Sequence, residues 1–197
     1  KQGTSVISFD GDGDYVNVTS PVVLGDGDFT VSVWSKMDLD AFTGGSTRVG
    51  LLGGSANGIF LQQRDDGGVR VGKISANDLV VSTATVNSNE WNHVAYSRSG
   101  TTGSYYINGV FSNTITDSND YSAGVSNIGG SIDGTYAVVN GQISQVRLHN
   151  RALSAAEVRA SYNGQAVPFE YVGGKQDELG LTDFSADPSG LGWTYHT

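Results

Sequence analysis

The chain has 197 residues, enough for one large all-β domain or a domain with an appendage. It carries 11 basic against 20 acidic residues, a net charge of −9, so it suits neither nucleic-acid phosphates nor anionic membrane surfaces. It has no cysteine, hence no disulfide framework or thiolate chemistry, and its 28 glycines against 3 prolines describe short strands joined by glycine turns.

A chain of this length buries roughly 70% of its unfolded surface, so it needs neither a metal nor a cross-link merely to fold. No apolar run approaches the length of a membrane span. Position 1 is Lys and no signal-peptide pattern follows, as expected of a mature product or an excised fragment.

The first two strands are predicted at 4–9, "TSVISF", and 14–20, "DYVNVTS". Between them "DGDGD" brings Asp10, Asp12 and Asp14 close together, with glycines that reach positive φ at little cost. In "DFTVSVWSKMDL" (28–39), Phe29, Val31 and Val33 point one way and Thr30, Ser32 and Trp34 the other. Four short strands are predicted at 48–54, 58–64, 69–74 and 79–85, with a hairpin turn at "DDGG" (65–68). Segments 90–100 and 103–115 read as the two arms of a further hairpin, and 127–131 and 141–150 close the set. One helix is predicted in "LSAAEVRASY": Ser154 and Glu157 form a capping box, and "NG" at 163–164 ends the helix. It is short and is expected at the edge of a sandwich. The segment 167–197 is polar and glycine-rich, and reads as a linker leading into the start of a further module, or as an extended tail, after a domain spanning 1–166.

The ordered set "ISFDGDGDYVNV", "FTVSVWSK", "EWNHVAYSRSG", "YYINGV" and "GQISQVRLHNRALSAAEV" resembles the laminin-G-like, concanavalin A-like jelly-roll family in its bacterial and phage form. The resemblance covers about residues 4 to 164. It implies an all-β, antiparallel two-sheet jelly-roll sandwich, with the short helix near the C-terminal end of the domain. Strand alternation and glycine turns lead to the same architecture independently. The resemblance also implies recognition of glycans or of other proteins, and in some members glycoside hydrolysis.

Hydrolysis on this fold needs a carboxylate pair, in one large group carried as E-x-D-x-x-E. The glutamates are Glu90, Glu157, Glu170 and Glu178, and five positions on stand Ala95, Tyr162, Lys175 and Asp183, so that motif is absent. His93, His149 and His196 lack zinc-ligand spacing, and there is no nucleophile elbow or phosphate loop. The chain is therefore expected not to be an enzyme.

Two readings of Asp10, Asp12 and Asp14 stand open. An EF-hand needs Gly at its sixth position and Glu at its twelfth, and Tyr15 and Pro21 stand there. The resemblance implies a calcium site that takes an aspartate from a G-x-I-D-x-V pattern in the last strand. Here the pattern reads "GQISQV", with Ser144 in the aspartate's place. Calcium on the three aspartates is one reading, and a hairpin tip solvated by water is the other.

Period-two alternation collects Trp34, His93, Tyr106, Arg147 and His149 on one outward face. An indole ringed by donors suits a sugar, so these residues are candidates for a glycan site. Loops at 40–47, 54–58 and 117–123 are further candidates, with Asn119 and Tyr121 supplying an amide and an aromatic ring. The expected function is a glycan-binding or adhesion module of an exterior protein, extracellular, on a cell surface or on a virion. Its partner would be a glycan or a surface protein, with no nucleic acid and no membrane insertion. The alternative is a structural spacer that works through protein contacts. A binding module should expose an aromatic in a groove, whereas a spacer should bury its aromatics and show a flat apolar patch.

Overall fold

The computed structural model describes residues 6–41, 48–73, 80–130 and 139–164. The chain divides into two compact units, Lys1–Val167 and Pro168–Thr197. The second unit, most of the loop expected at 40–47 and the tail expected at 167–197 lie outside the described residues.

Among those residues the strands are β1 (Val6–Asp10), β2 (Val16–Val22), β3 (Phe29–Met37), β4 (Arg48–Gly53), β5 (Ile59–Arg64) and β6 (Val69–Lys73). They continue with β7 (Val80–Val81), β8 (Asn92–Ser99), β9 (Thr102–Ile107), β10 (Val110–Thr116), β11 (Val125–Ile128) and β12 (Asn140–His149), before the helix α1 (Ala155–Tyr162). The strands pair into two six-stranded sheets, β1-β12-β3-β8-β9-β10 and β2-β11-β4-β5-β6-β7, to which β7 gives only two residues. Every strand pairing is antiparallel. This is the all-β jelly-roll sandwich expected, with its one short helix.

Alternation builds the core. Phe29, Val31 and Val33 of β3, Val94 and Tyr96 of β8, and Tyr105 and Ile107 of β9 face inward from the first sheet. They share a cluster with Leu51, Ile59, Leu61, Val69 and Val71 of the second. Fully burying such a side chain contributes about 1.5–3 kcal/mol. Polar ties also cross the sandwich: the Val71 N–H donates to the Tyr105 hydroxyl at 2.9 Å, and the Ser35 hydroxyl donates to Gln63 Oε1 at 3.3 Å.

Three local expectations change. The segment 103–115 is not one hairpin arm: Asn108 and Gly109, at φ 51° and 74°, turn the chain between β9 and β10. Asn-Gly takes two successive positive φ angles, which match the strand twist. The "DGDGD" turn is not a hairpin tip either, because β1 pairs with β12 in one sheet and β2 with β11 in the other. The turn carries the chain between the sheets.

The third change concerns α1. The capping box forms, with Glu157 N–H donating to the Ser154 hydroxyl and Ser154 N–H donating to the Glu157 carboxylate. The Arg151 guanidinium and the Ser154 N–H hold the Glu157 carboxyl down at about 2. The helix does not sit at the sandwich edge, however. It lies on the outer face of the first sheet, where Leu153 and Val158 pack with Ala95 and Tyr106. The outer face itself holds the approach to the helix. Thr30 Oγ1 accepts from the Leu153 N–H at 2.8 Å, and Ser97 Oγ donates to the Leu153 carbonyl at 3.0 Å.

Candidate functional site

The strand register puts Trp34 opposite His93 on one side and Ser144 on the other. Ser32 faces Ala95 and Arg147, Thr30 faces Ser97 and His149, and Tyr106 faces Ala95. Trp34, His93, Tyr106, Arg147 and His149 therefore share one face, as alternation requires. That face is not open. The helix and the turn before it leave His93, Tyr106 and His149 only 1%, 6% and 4% exposed, so none of the three offers a surface to a ligand. The reason is apolar: Tyr162 at the helix end stacks on Trp34 at 5.5 Å and 15°, and lies 6.1 Å from the His93 ring.

Burial sets the chemistry beneath α1. His93 Nδ1 has no hydrogen-bond partner among the described residues. Its pKa falls to about 4, mainly because burial disfavours the cation and secondly because Arg147 repels it. His149 is lowered as well, first by burial, then by Arg151 and Arg147, against an opposing pull from Glu157. Burial raises Tyr106. Arg147 works as a tie rather than a free ligand group, donating to Ser161 Oγ on α1 and to Gln145 Oε1, each at 3.0 Å.

Asn119 and Tyr121 belong to a buried lock. The Tyr121 and Tyr96 hydroxyls donate to Asp117 Oδ2 at 2.9 and 2.6 Å, and the Asn119 side-chain amide donates to Asp117 Oδ1 at 3.0 Å. Arg98 lies 3.8 Å from that carboxylate and donates to the carbonyls of Asn119, Gly100 and Asp26. Tyr121 is fully buried. Burial, reinforced by Asp117, drives the pKa of both Tyr96 and Tyr121 far up. The loop is held by its polar side chains, so Tyr121 cannot also present its ring outward.

Asp10, Asp12 and Asp14 are all exposed. The Asp12 N–H donates to Asp10 Oδ1 at 2.8 Å, and Gly11 and Gly13 sit at φ 87° and 81°. Among the described residues no group of three or more His, Asp or Glu side chains converges as metal ligands would.

The outer face of the first sheet holds a groove of about 470 Å³, lined among the described residues by Val6, Trp34, Trp91, Ser144 and Gln145. That volume lies within the usual range for small-molecule sites. Trp34 enters it from β3, Ser144 from β12 and Val6 from β1, which is an edge strand among the described residues. Trp91, just before β8, is 38% exposed. Gln145 stands at φ 48° in a β-bulge, where the β12–β3 register shifts between Ser144 and Arg147. Of the glycan-site candidates named from the sequence, Trp34 alone is among the described residues that line this groove, together with Ser144 of the "GQISQV" pattern, and Arg147 reaches it through its hydrogen bond to Gln145. Trp91 and Gln145 were missed. Trp91 shares the parity of His93 and Ala95, so alternation already put it on this face. The bulge also left a trace: Ile143 and Val146 both pack on the core, and an odd spacing cannot do that without an extra residue.

Residues 10–159 match the sequence family described as the concanavalin A-like lectin/glucanases superfamily. The chain belongs to this superfamily. No curated protein sequence matches it. Solved structures of similar fold include the Ruminococcus gnavus IT-sialidase CBM40 bound to α2,3 sialyllactose. It is 19% identical, with a TM-score of 0.63 over 82% of this chain and 97% of that one. The native heptameric SAP-like pentraxin of Limulus polyphemus is 18% identical, with a TM-score of 0.62 over 83% and 84%. A mutant NanB sialidase of Streptococcus pneumoniae is 19% identical, with a TM-score of 0.61; the match covers 83% of this chain and 28% of the sialidase. At these identities the likeness concerns the sandwich. In this superfamily member the open groove lies on the sheet that also carries α1.

Proposed function

We propose that the chain is a non-catalytic carbohydrate-binding module, serving recognition or adhesion in an exterior protein of a bacterial surface or a virion. One observation carries the reading: two tryptophans, Trp34 and Trp91, line the same open groove, and Trp91 is exposed there. A flat indole face stacks on the apolar face of a pyranose, while polar neighbours take its hydroxyls. A spacer would bury its aromatics, so the exposed indole favours recognition. The neighbour that carries sialyllactose is in keeping with that class of ligand.

A glycosidase would need two carboxylates flanking its cleft, about 5 to 9.5 Å apart. Among the described residues no carboxylate lines this groove. The described glutamates are committed elsewhere: Glu90 accepts from the Asn87 amide at 2.8 Å, and Glu157 caps α1.

The test is a fluorescence titration of the chain with a panel of oligosaccharides. Binding should perturb the indole emission. Trp91→Ala should weaken it by about tenfold or more, the loss of one stacked ring, without changing the melting temperature. If no saccharide alters the emission, or Trp91→Ala binds as tightly as the parent chain, the reading fails.

A further inference from the structure

We propose that the groove takes the interior of a neutral oligosaccharide chain, and that Gln145 is its specificity-determining donor; this rests on the glycan-binding reading above.

The Gln145 backbone is left-handed. A left-handed φ of 48° is strained for any residue with a Cβ and comfortable for glycine. Such strain persists where the surroundings over-determine it, and bulges re-aim side chains at binding sites. Here the side chain is fixed as well as the backbone. Arg147 Nη2 lies 3.0 Å from Gln145 Oε1, and a guanidinium only donates, so the oxygen of the carboxamide is the atom it holds. Nε2 is left with no hydrogen-bond partner among the described residues. A fixed amide donor thus sits in a groove whose other walls include two indoles. It calls for an acceptor oxygen on a ligand that also has apolar faces. A sugar hydroxyl, a ring oxygen or the carbonyl of an N-acetyl group meets that need.

The extent of the ligand follows from the shape. Val6 belongs to β1, an edge strand among the described residues, so the groove runs toward that margin of the sheet. Trp34, on β3, and Trp91, just before the adjacent β8, both line the groove, Trp34 with one face already stacked by Tyr162. A ligand of two or more linked rings uses both, whereas a single terminal sugar uses one. Its charge follows from the lining. Among the described residues the lining, Val6, Trp34, Trp91, Ser144 and Gln145, is uncharged. The Arg147 guanidinium is engaged by Gln145 and Ser161, and Lys36, on the same face one step along β3, does not line the groove. A chain of net charge −9 also repels anionic sugars at long range.

The experiment uses the full chain and its Gln145→Gly variant. Calorimetric titrations are run with a β-linked glucose series and an N-acetylglucosamine series, from one to four rings, and with sialyllactose. The expected results are an affinity that rises about tenfold or more from one ring to three, and weaker binding of sialyllactose. Gln145→Gly should melt no lower than the parent, because glycine relieves the left-handed strain, yet bind about fivefold more weakly for want of one hydrogen bond. A merely structural Gln145 would leave affinity unchanged, which would overturn its role. Affinity independent of chain length, or tighter binding of sialyllactose that is lost in Lys36→Ala, would overturn the ligand class and leave the module reading standing. Failure of every saccharide to bind would overturn both.

Discussion

His93 is held against Trp34 and Tyr162, with Nδ1 unpartnered among the described residues and Arg147 opposing its charge. Its pKa falls from 6.5 to about 4 on folding. Above pH 6.5 the imidazole is neutral in both states and its contribution to stability is whole. As the pH falls below 6.5 the unfolded chain takes up the proton first, so stability drains away until about pH 4, where the folded form protonates too. The full loss is about 3 kcal/mol, since each pH unit between the two values costs about 1.4 kcal/mol. His93→Phe keeps an aromatic under α1 and cannot titrate. Urea unfolding at pH 7 and pH 4 should show the wild type losing about 3 kcal/mol more than this variant. Equal losses would mean that His93 is not the buried base. From sequence alone this histidine was placed on the correct face and given the wrong role. Alternation fixes which way a side chain points, but says nothing of what later settles on top of it.

At the scale of elements, the Asp117 lock ties the 117–121 segment to β8 and to the carbonyl of Asp26. The carboxylate accepts from two tyrosine hydroxyls and from Asn119, while Arg98, 2% exposed, keeps its charge beside it. Asp117→Ala removes the acceptor and leaves a buried guanidinium without its counter-charge. The expected loss is about 3–5 kcal/mol in chemical denaturation. A loss below about 1 kcal/mol would show that water replaces the carboxylate at no great cost. Nothing in "SNDYS" announces this lock, since its partners come from residues 26, 96 and 98. Local signals fared better. The capping box at Ser154 and Glu157 marked the start of α1, because both halves of that motif lie within four residues. The position of α1 was not legible, because Ala95, Tyr106 and Trp34 make an outer sheet face apolar enough to receive it. That depends on strands far apart in sequence.

At the scale of the whole molecule, the sandwich was legible because two-residue alternation and glycine turns repeat through most of the chain, and each repeat supports the next. The groove was only half legible. Trp34 and Trp91 share a face by parity, but Gln145 joins them only through the β12 bulge. The "DGDGD" turn belongs to this scale as well, for it joins β1 of one sheet to β2 of the other. Calcium needs six to eight oxygens converging at about 2.3–2.6 Å. In the turn, Asp10 Oδ1 is committed to the Asp12 N–H at 2.8 Å, and the left-handed glycines alternate with aspartates that remain exposed. We therefore expect the same melting temperature in millimolar calcium and in EDTA. The measurement is sensitive: an ion present at about 100 times its dissociation constant stabilises the native state by about 2.7 kcal/mol. In a domain of this size that shift would be several degrees. A calcium-dependent rise of that size would make Asp10, Asp12 and Asp14 ligands and require the turn to close around the ion. An unchanged melting temperature would leave them as a solvated crossing between the sheets.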